Sequence, residues 1–266
     1  MIPLLKWPGG KRWFVSHHRD LLPLTYNRYF EPFLGGGSVF FHLEPKRAVL
    51  GDTNAELIAT YKVVKRNRKA LEALLEDHQR RHSVEYYYRV RDAIPAGKIE
   101  QAARTLYLNR TCFNGIYRVN SKGEFNVPVG TRASVIRDTD DFVAAARLLK
   151  AADLRVADFE PLIEEACAGD LVFADPPYTV QHNNNGFVKY NELLFRWADQ
   201  ERLAATLKRA KDRGVKVVAT NADHSTVREL YEQRGFAVRA VERNSSISGS
   251  SASRKRIQEL VILANC

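Results

Sequence analysis

The residues that most constrain how this chain can fold are Asp170–Tyr178, DLVFADPPY. Leu171–Ala174 is a short apolar run with β-branched and aromatic members, the pattern of a buried strand. It runs straight into Pro176 and Pro177, which fix φ and remove two N–H donors, so a strand ladder must stop there. The chain leaves the strand's carboxyl end in a rigid turn that carries the Asp175 carboxylate, the Pro176 carbonyl and the Tyr178 ring. In open parallel α/β sheets this edge is where ligands bind. The three groups suit a planar exocyclic amine. Its N–H groups can donate to Asp175 and the Pro176 carbonyl, and Tyr178 can stack on the ring that bears it. The same four residues also suit a plain turn that closes a strand, with Pro177 as a stiffener and Tyr178 as a lid on the core.

The rest of the chain supplies an α/β context. Lys6–Lys11, KWPGGK, is a turn bracketed by Trp7 and Lys11, an aromatic surface and a cation that suit a ligand's ring and carboxylate. A frayed terminus whose Trp packs on the core is the plainer alternative. Tyr29–Phe33 reads as a strand, Gly35-Gly36-Gly37 as a sharp turn and Ser38–Leu43 as a helix start, the opening of a nucleotide-binding unit. A second strand, Val49–Gly51, ends in Asp52, the position of an acid that holds ribose hydroxyls. Asn54 can cap the helix that follows. The GxGxxG spacing of a standard NAD fold is missing. Further on, Leu154–Ala157, Val215–Thr220, Phe236–Arg243 and Ile257–Ala264 read as strands. Pro161–Cys167, Asp199–Arg213 and His224–Arg234 read as helices, the last two ended by glycine.

Residues 59–146 break this rhythm. They read as three helices and then a hairpin with arms Ile116–Val119 and Glu124–Val127, displaying Arg118, Asn120 and Lys122. The segment holds 16 Lys/Arg against 10 Asp/Glu, a net of +6 within a chain whose net charge is +10. That concentration predicts an inserted subdomain with a basic face for a polyanion, nucleic acid first. Arg reads guanine in the major groove, and Asn reads adenine. The Ser-rich stretch 244–256 ends in Arg254, Lys255 and Arg256, a loop suited to phosphates. Solvated charges on a surface hairpin and linker would look the same. Cys112, Cys167 and Cys266 are far apart, so neither a disulfide framework nor a zinc site is indicated. There is no apolar leader and no run long enough to span a bilayer, which predicts a reducing, cytoplasmic setting.

Taken together, KWPGGK, EPFLGGGSVFF, GDTNAELI, NRTCFNGIYR with GEFNVPVG, VADF, DPPY and the SSIS, RKR and EL tail resemble the Dam-type DNA adenine-N6 methyltransferases, in the family's order from Lys6 almost to the last strand. The resemblance implies an α/β fold, a Rossmann-like S-adenosylmethionine-dependent methyltransferase sheet with an inserted, mostly helical DNA-recognition subdomain carrying a β-hairpin. The catalytic part would be 1–58 and 147–266, and the recognition part 59–146. It implies S-adenosylmethionine against Trp7, Lys11, Phe33, Gly35, Gly37 and Asp52, with Asp158 and Phe159 near its adenine ring and Asp175 where cofactor and target meet. Asn114, Ile116, Arg118 and Pro128 fall where the family's hairpin meets DNA, with Ile116 standing where Leu is familiar. The expected reaction is methylation of the N6 amine of a flipped-out adenine in a short duplex site, GATC or a related sequence. The expected partner is double-stranded DNA, bound by a monomer without metal or membrane, with a cognate restriction endonuclease as a candidate second partner. Rival readings are an N-methyltransferase for RNA or a protein amide, an idle DNA-binding regulator on the same scaffold, and a nicotinamide-dependent oxidoreductase.

Overall fold

A buried acid at one end and two prolines at the other bound the strand that positions the site. Asp170 is 1% exposed. Its carboxylate accepts from the backbone N–H of Arg28 at 3.0 Å, from Arg28 Nε and Nη2 at 3.1 and 2.7 Å, and from the Cys167 N–H at 2.9 Å. Four donors offset the desolvation of this carboxylate and tie the starts of two neighbouring strands together.

The computed structural model describes residues 1–120, 123–179, 195–244 and 256–266. In chain order its elements are α1 (Arg12–His17), β1 (Tyr29–Glu31), α2 (Ser38–Leu43), β2 (Ala48–Asp52), α3 (Ala55–Arg81), α4 (Val84–Asp92), α5 (Lys98–Thr111) and α6 (Phe142–Lys150). There follow β3 (Ala152–Val156), α7 (Phe159–Glu164), β4 (Leu171–Ala174), α8 (Trp197–Asp212), β5 (Lys216–Ala222), α9 (Ser225–Glu232), β6 (Ala237–Asn244) and β7 (Arg256–Ala264). They form two compact units. One comprises Met1–Val15 and Leu34–Val156, the other Ser16–Phe33 and Ala157–Cys266.

In the first unit β2 pairs parallel with β3, from Ala48 opposite Ala152 to Asp52 opposite Val156. The helices α3 to α6 connect these two strands, with α5 and α6 packed on α3. Asn54 caps α3 by accepting from the Leu57 N–H at 2.9 Å, and the helix is interrupted at Asn67, whose backbone is non-helical. In the second unit the strand order is β1-β4-β5-β7-β6. The β1–β4 and β4–β5 pairs are parallel, whereas β7 is antiparallel to both β5 and β6. Every residue of β4 is at most 1% exposed, the signature of a strand covered on both faces. The class is α/β and Rossmann-like, as the alternation of strands and helices predicts.

Local differences from the sequence reading have local causes. β1 stops at Glu31 rather than Phe33, because Pro32 has no N–H for the ladder. The helix expected from Pro161 begins at Phe159, capped by Asp158 accepting from the Glu160 N–H at 2.9 Å. Pro161 sits in its first turn, where a missing N–H costs nothing. β5 continues through Asn221 and Ala222, which lie opposite Leu260 and Glu259 of β7. Among the described residues the expected hairpin arms meet at one isolated antiparallel bridge, Val119 with Phe125, and a second, Cys112 with Val129, lies just outside them. Just outside the arms Pro128 has no N–H, and Asn114 and Gly115 adopt positive φ, so extended pairing does not carry on continuously towards the Cys112–Val129 bridge. The expected loop from 244 is shorter at both ends, because Asn244 and Arg256 are paired across β6 and β7. The residues expected to form the 179–191 loop lie, after Thr179, outside the described residues. No helix among the described residues is long and apolar enough to cross a membrane.

His78 of α3 reports on packing in the first unit. Its ring stacks on Tyr107 at 4.7 Å and 22°, and its Nδ1 lies 2.8 Å from the Tyr86 hydroxyl. Burial pushes its pKa down from 6.5 to about 4. The unfolded chain therefore binds the proton more readily. The stability contributed by the neutral ring is complete above the unfolded pKa near 6.5 and is lost as the pH falls towards 4. Urea denaturation from pH 7 to pH 4.5 should show stability falling with pH, with a smaller fall in His78→Phe, which keeps the stack and cannot titrate.

Candidate functional site

In the first unit the residues expected at the site gather around the glycine turn and Asp52. Gly35 and Gly37 have φ of +47° and +65°, a backbone that a side chain resists. A Cβ on Gly35 would stand 2.8 Å from Trp7 Cδ1, so Trp7 and the turn pack directly together. Asp52, at the end of β2, accepts from the Gly35 N–H at 3.0 Å and from the Asn54 N–H at 2.9 Å. Burial pushes its carboxyl up from the usual range, and these two N–H groups pull it back part of the way. Lys11 is 3% exposed, with Nζ donating to the Gly9 carbonyl at 2.9 Å. The aromatic, the glycines and the acid named from the sequence are thus gathered around one turn.

Tyr117 holds Trp7, and Glu56 holds Tyr117; neither is marked by any local signal in the sequence. Tyr117 stacks on Trp7 at 4.9 Å between centroids and 23° between planes, and the Tyr117 hydroxyl donates to Glu56 Oε2 at 2.7 Å. Glu56 also accepts from Thr105 Oγ1 at 2.5 Å. Nearby, Asn109 clamps Lys6 by two backbone bonds, at 2.9 and 2.7 Å, and Lys6 Nζ donates to the Asn114 carbonyl. The segment that carries Asn114, Ile116 and Arg118 is therefore tied to KWPGGK. Asn114, Arg118 and Pro128 are exposed, while Ile116 is half-buried. Arg118 Nε donates to Asn126 Oδ1 at 3.0 Å, and Asn120 bonds the side chain and N–H of Glu124 at 2.8 and 3.0 Å, closing the turn on itself. Cys112 is buried, and burial pushes its thiol up to about 11, so it is no nucleophile at neutral pH. Lys122, Arg254 and Lys255 lie outside the described residues. Arg256 opens β7.

In the second unit Phe33 stacks on Phe159 at 5.4 Å and 29°, and Phe195 closes both rings edge-on or tilted. The opposite partner of Phe159 is Arg202, whose guanidinium carbon lies 4.1 Å from the ring centroid. Arg202 also bonds both oxygens of Asp158, at 2.7 and 2.9 Å, and holds that carboxyl below its usual range. A bidentate arginine orients Asp158 and Phe159 together. It comes from α8, far along the chain, so no local signal announces it.

The Asp175–Tyr178 turn leaves β4 between its neighbours β1 and β5. Asp175 Oδ1 accepts from Thr220 Oγ1 of β5 at 2.7 Å. Pro176 is buried, while Asp175, Pro177 and Tyr178 are half-buried. The Tyr178 hydroxyl donates to Glu259 Oε2 of β7 at 2.6 Å, and Glu259 Oε1 pairs with Arg243 of β6 at 3.0 Å. Burial first, and then the Glu259 and Asp175 charges, push the Tyr178 hydroxyl well above its usual pKa, so it stays a donor. Beside the turn, Glu31 at the end of β1 is 3% exposed and accepts from the Tyr29 hydroxyl at 2.8 Å. This second acid sits inside the quoted EPF run but was not singled out. Among the described residues no group of three or more His, Cys, Asp or Glu is arranged to hold a metal.

The glycine turn gives a direct test of this geometry. Gly35→Ala adds a Cβ at positive φ and against Trp7, and should cost about 1–3 kcal/mol. Urea denaturation with a shifted tryptophan emission would register both effects, and an unchanged midpoint would contradict the packing described.

Comparison with known proteins points the same way. Residues 7–247 match the D12 class N6 adenine-specific DNA methyltransferase family. The chain is 38% identical to "Type II methyltransferase M1.LlaDCHI" of Lactococcus lactis subsp. cremoris, over 98% of this chain and 94% of that protein. It is 32% identical to a "DNA adenine methylase" of Haemophilus influenzae, over 98% and 93% of the two chains. Against the "DNA adenine methylase" of Escherichia coli K12 the figures are 31%, 97% and 94%. With the family's match spanning nine-tenths of its length and relatives covered almost end to end, this chain belongs to the D12 class of N6 adenine-specific DNA methyltransferases.

Proposed function

We propose that the chain methylates the N6 amine of an adenine flipped out of a short duplex DNA site, with S-adenosylmethionine as donor. The observation that carries this is the Asp175–Tyr178 turn, a carboxylate, a carbonyl and an aromatic ring held at the end of a buried strand by partners on β5 and β7. Asp175 and the Pro176 carbonyl accept the two N6–H bonds. That orients the planar amine and favours positive charge building on its nitrogen. Tyr178 stacks on the purine. An adenine inside a duplex cannot reach such a turn, which is why extrusion of the base is part of the proposal. Once alkylated, the nitrogen is acidic and releases a proton to solvent, so Asp175 need not retain it.

The residues fit the donor. Asp52, held by two backbone N–H groups, suits a ribose diol. The Gly35–Gly37 turn, where a Cβ on Gly35 would meet Trp7 and one on Gly37 would meet Phe41, offers bare backbone of the kind a nucleotide can approach closely. Lys11 suits a carboxylate, and Phe33, Asp158 and Phe159 suit an adenine ring. When bound, S-adenosylmethionine supplies an electrophilic methyl group and leaves as S-adenosylhomocysteine. The residues that act on the amine would work by positioning and electrostatics, without a covalent enzyme intermediate.

Residues 59–146 would serve as the target-recognition part within the catalytic chain, with Asn114, Ile116, Arg118, Asn120 and Pro128 at the bases and Lys122, Arg254, Lys255 and Arg256 at phosphates. The site read would be GATC or a close relative, by a monomer acting in the cytoplasm. Relatives named as a Type II methyltransferase and as DNA adenine methylases support both a role beside a restriction endonuclease and a solitary one.

Plasmid DNA incubated with the protein and S-adenosylmethionine should acquire N6-methyladenine in one short motif, read by modification-sensitive sequencing. Asp175→Ala should lower kcat by at least about 100-fold while the thermal transition survives. A fully active Asp175→Ala, or methyl groups appearing only in RNA or protein, would overturn the proposal.

A further inference from the structure

An aspartate at a strand end is usually oriented by its own backbone, through a bond from the N–H two residues on. Asp175 cannot use this device. The next two residues are Pro176 and Pro177, and neither carries an N–H. The feature that stops the strand also removes the local donors that would set the torsion of its carboxyl group. The orientation has to come from across the sheet.

The register shows the source. β4 and β5 are paired as far as Ala174 opposite Ala219, so Asp175 and Thr220 are the next residues on each strand. Thr220 is fully buried in a strand whose other buried members are mostly apolar, and a hydroxyl there is costly unless it is bonded. Its Oγ1 donates to Asp175 Oδ1 at 2.7 Å. The far end of the same turn is pinned separately, by the Tyr178 hydroxyl on Glu259 and by Glu259 on Arg243. Loss of the Thr220 hydroxyl would therefore take this one bond from the carboxylate and leave the aromatic ring pinned in place.

We infer that Thr220 is a positioning residue for methyl transfer, setting the Asp175 carboxylate through the side-chain bond that the two prolines deny it from its own backbone. This rests on reading the Asp175–Tyr178 turn as the site of the reaction. A bond from a neutral hydroxyl to a carboxylate is a charge-assisted one, and its loss is worth about 10- to 100-fold in rate when the carboxylate must be aligned with the amine.

The test uses the full-length enzyme and a duplex containing its methylation motif. Thr220→Val keeps the volume and removes the donor, while Thr220→Ser keeps the donor. Thr220→Val should lower kcat about 10- to 100-fold, with KM for DNA within about 3-fold of the wild type. The fluorescence of 2-aminopurine at the target position, which reports base extrusion, should be unchanged. Thr220→Ser should stay within about 3-fold of the wild-type kcat. Thr220→Ala provides a second donor-free variant if Thr220→Val misfolds, and should show the same loss. Wild-type kcat in a folded donor-free variant, or a Thr220→Ser as slow as Thr220→Val, would overturn the inference. Asp175→Asn separates the two levels. If it is inactive while Thr220→Val runs at full rate, only the positioning role falls. If it is active, the reading of the turn falls with it.

Discussion

The pairing of half-buried Arg28 with the buried carboxylate of Asp170 is the interaction on which the candidate site most depends. It binds the last residue before β1 to the last residue before β4, with Asp170 receiving Arg28 through both its backbone and its side chain. Without the Arg28 side chain, the buried Asp170 charge would keep only its two backbone donors. From this fixed start, parallel strands advance together at about 3.3 Å per residue. β4 runs for four residues, Leu171–Ala174, and cannot continue past Pro176. The position of the Asp175 carboxylate follows from a clamp at one end of the strand and a missing N–H at the other.

The first unit uses the same economy around a different turn. Positive φ at Gly35 and Gly37 lets Asp52 reach a backbone N–H and lets Trp7 press on the chain. Trp7 is in turn held by Tyr117, which belongs to the segment expected to meet DNA. The basic excess of residues 59–146 has to be divided. Arg104 and Arg110 are buried and bond carbonyl oxygens, and Arg110 and Arg137 share Asp140. Burial even pushes the Arg110 guanidinium down to about 10. These charges serve the fold. Part of what the composition suggested as a binding face is internal, while Arg118 remains at the surface.

How much was legible in the sequence follows from the range of the physics. Ladder termination at Pro176, the Asn54 cap, the glycine ends of α8 and α9 and the buried run of β4 depend on a few consecutive residues, and they are found within a residue or two; the stop at Pro32 is equally local, although the sequence reading carries β1 on to Phe33. The hairpin arms were overestimated because turn and strand signals mark where a chain can pair, not how many ladder bonds form, and among the described residues the arms meet at one isolated bridge, Val119 with Phe125. The residues expected at the site, Trp7, Gly35, Asp52, Asp158, Phe159, Asp175 and Tyr178, could be singled out because each sits in a short motif. Their partners, Tyr117, Glu56, Arg202, Thr220 and Glu259, could not. A tyrosine in a hairpin or a threonine in a strand carries no local mark of what it will touch.

By itself the sequence determined where the chain turns, which strand is buried and that a carboxylate, two prolines and a tyrosine emerge at its end, because φ restriction and missing donors act within a few bonds. Only the tertiary structure decided how that carboxylate and that tyrosine are held. Asp175 takes its hydrogen bond from a residue 45 positions along the chain, and Tyr178 gives its own to one 81 positions along. Such contacts depend on strand register, and register is a property of the assembled sheet.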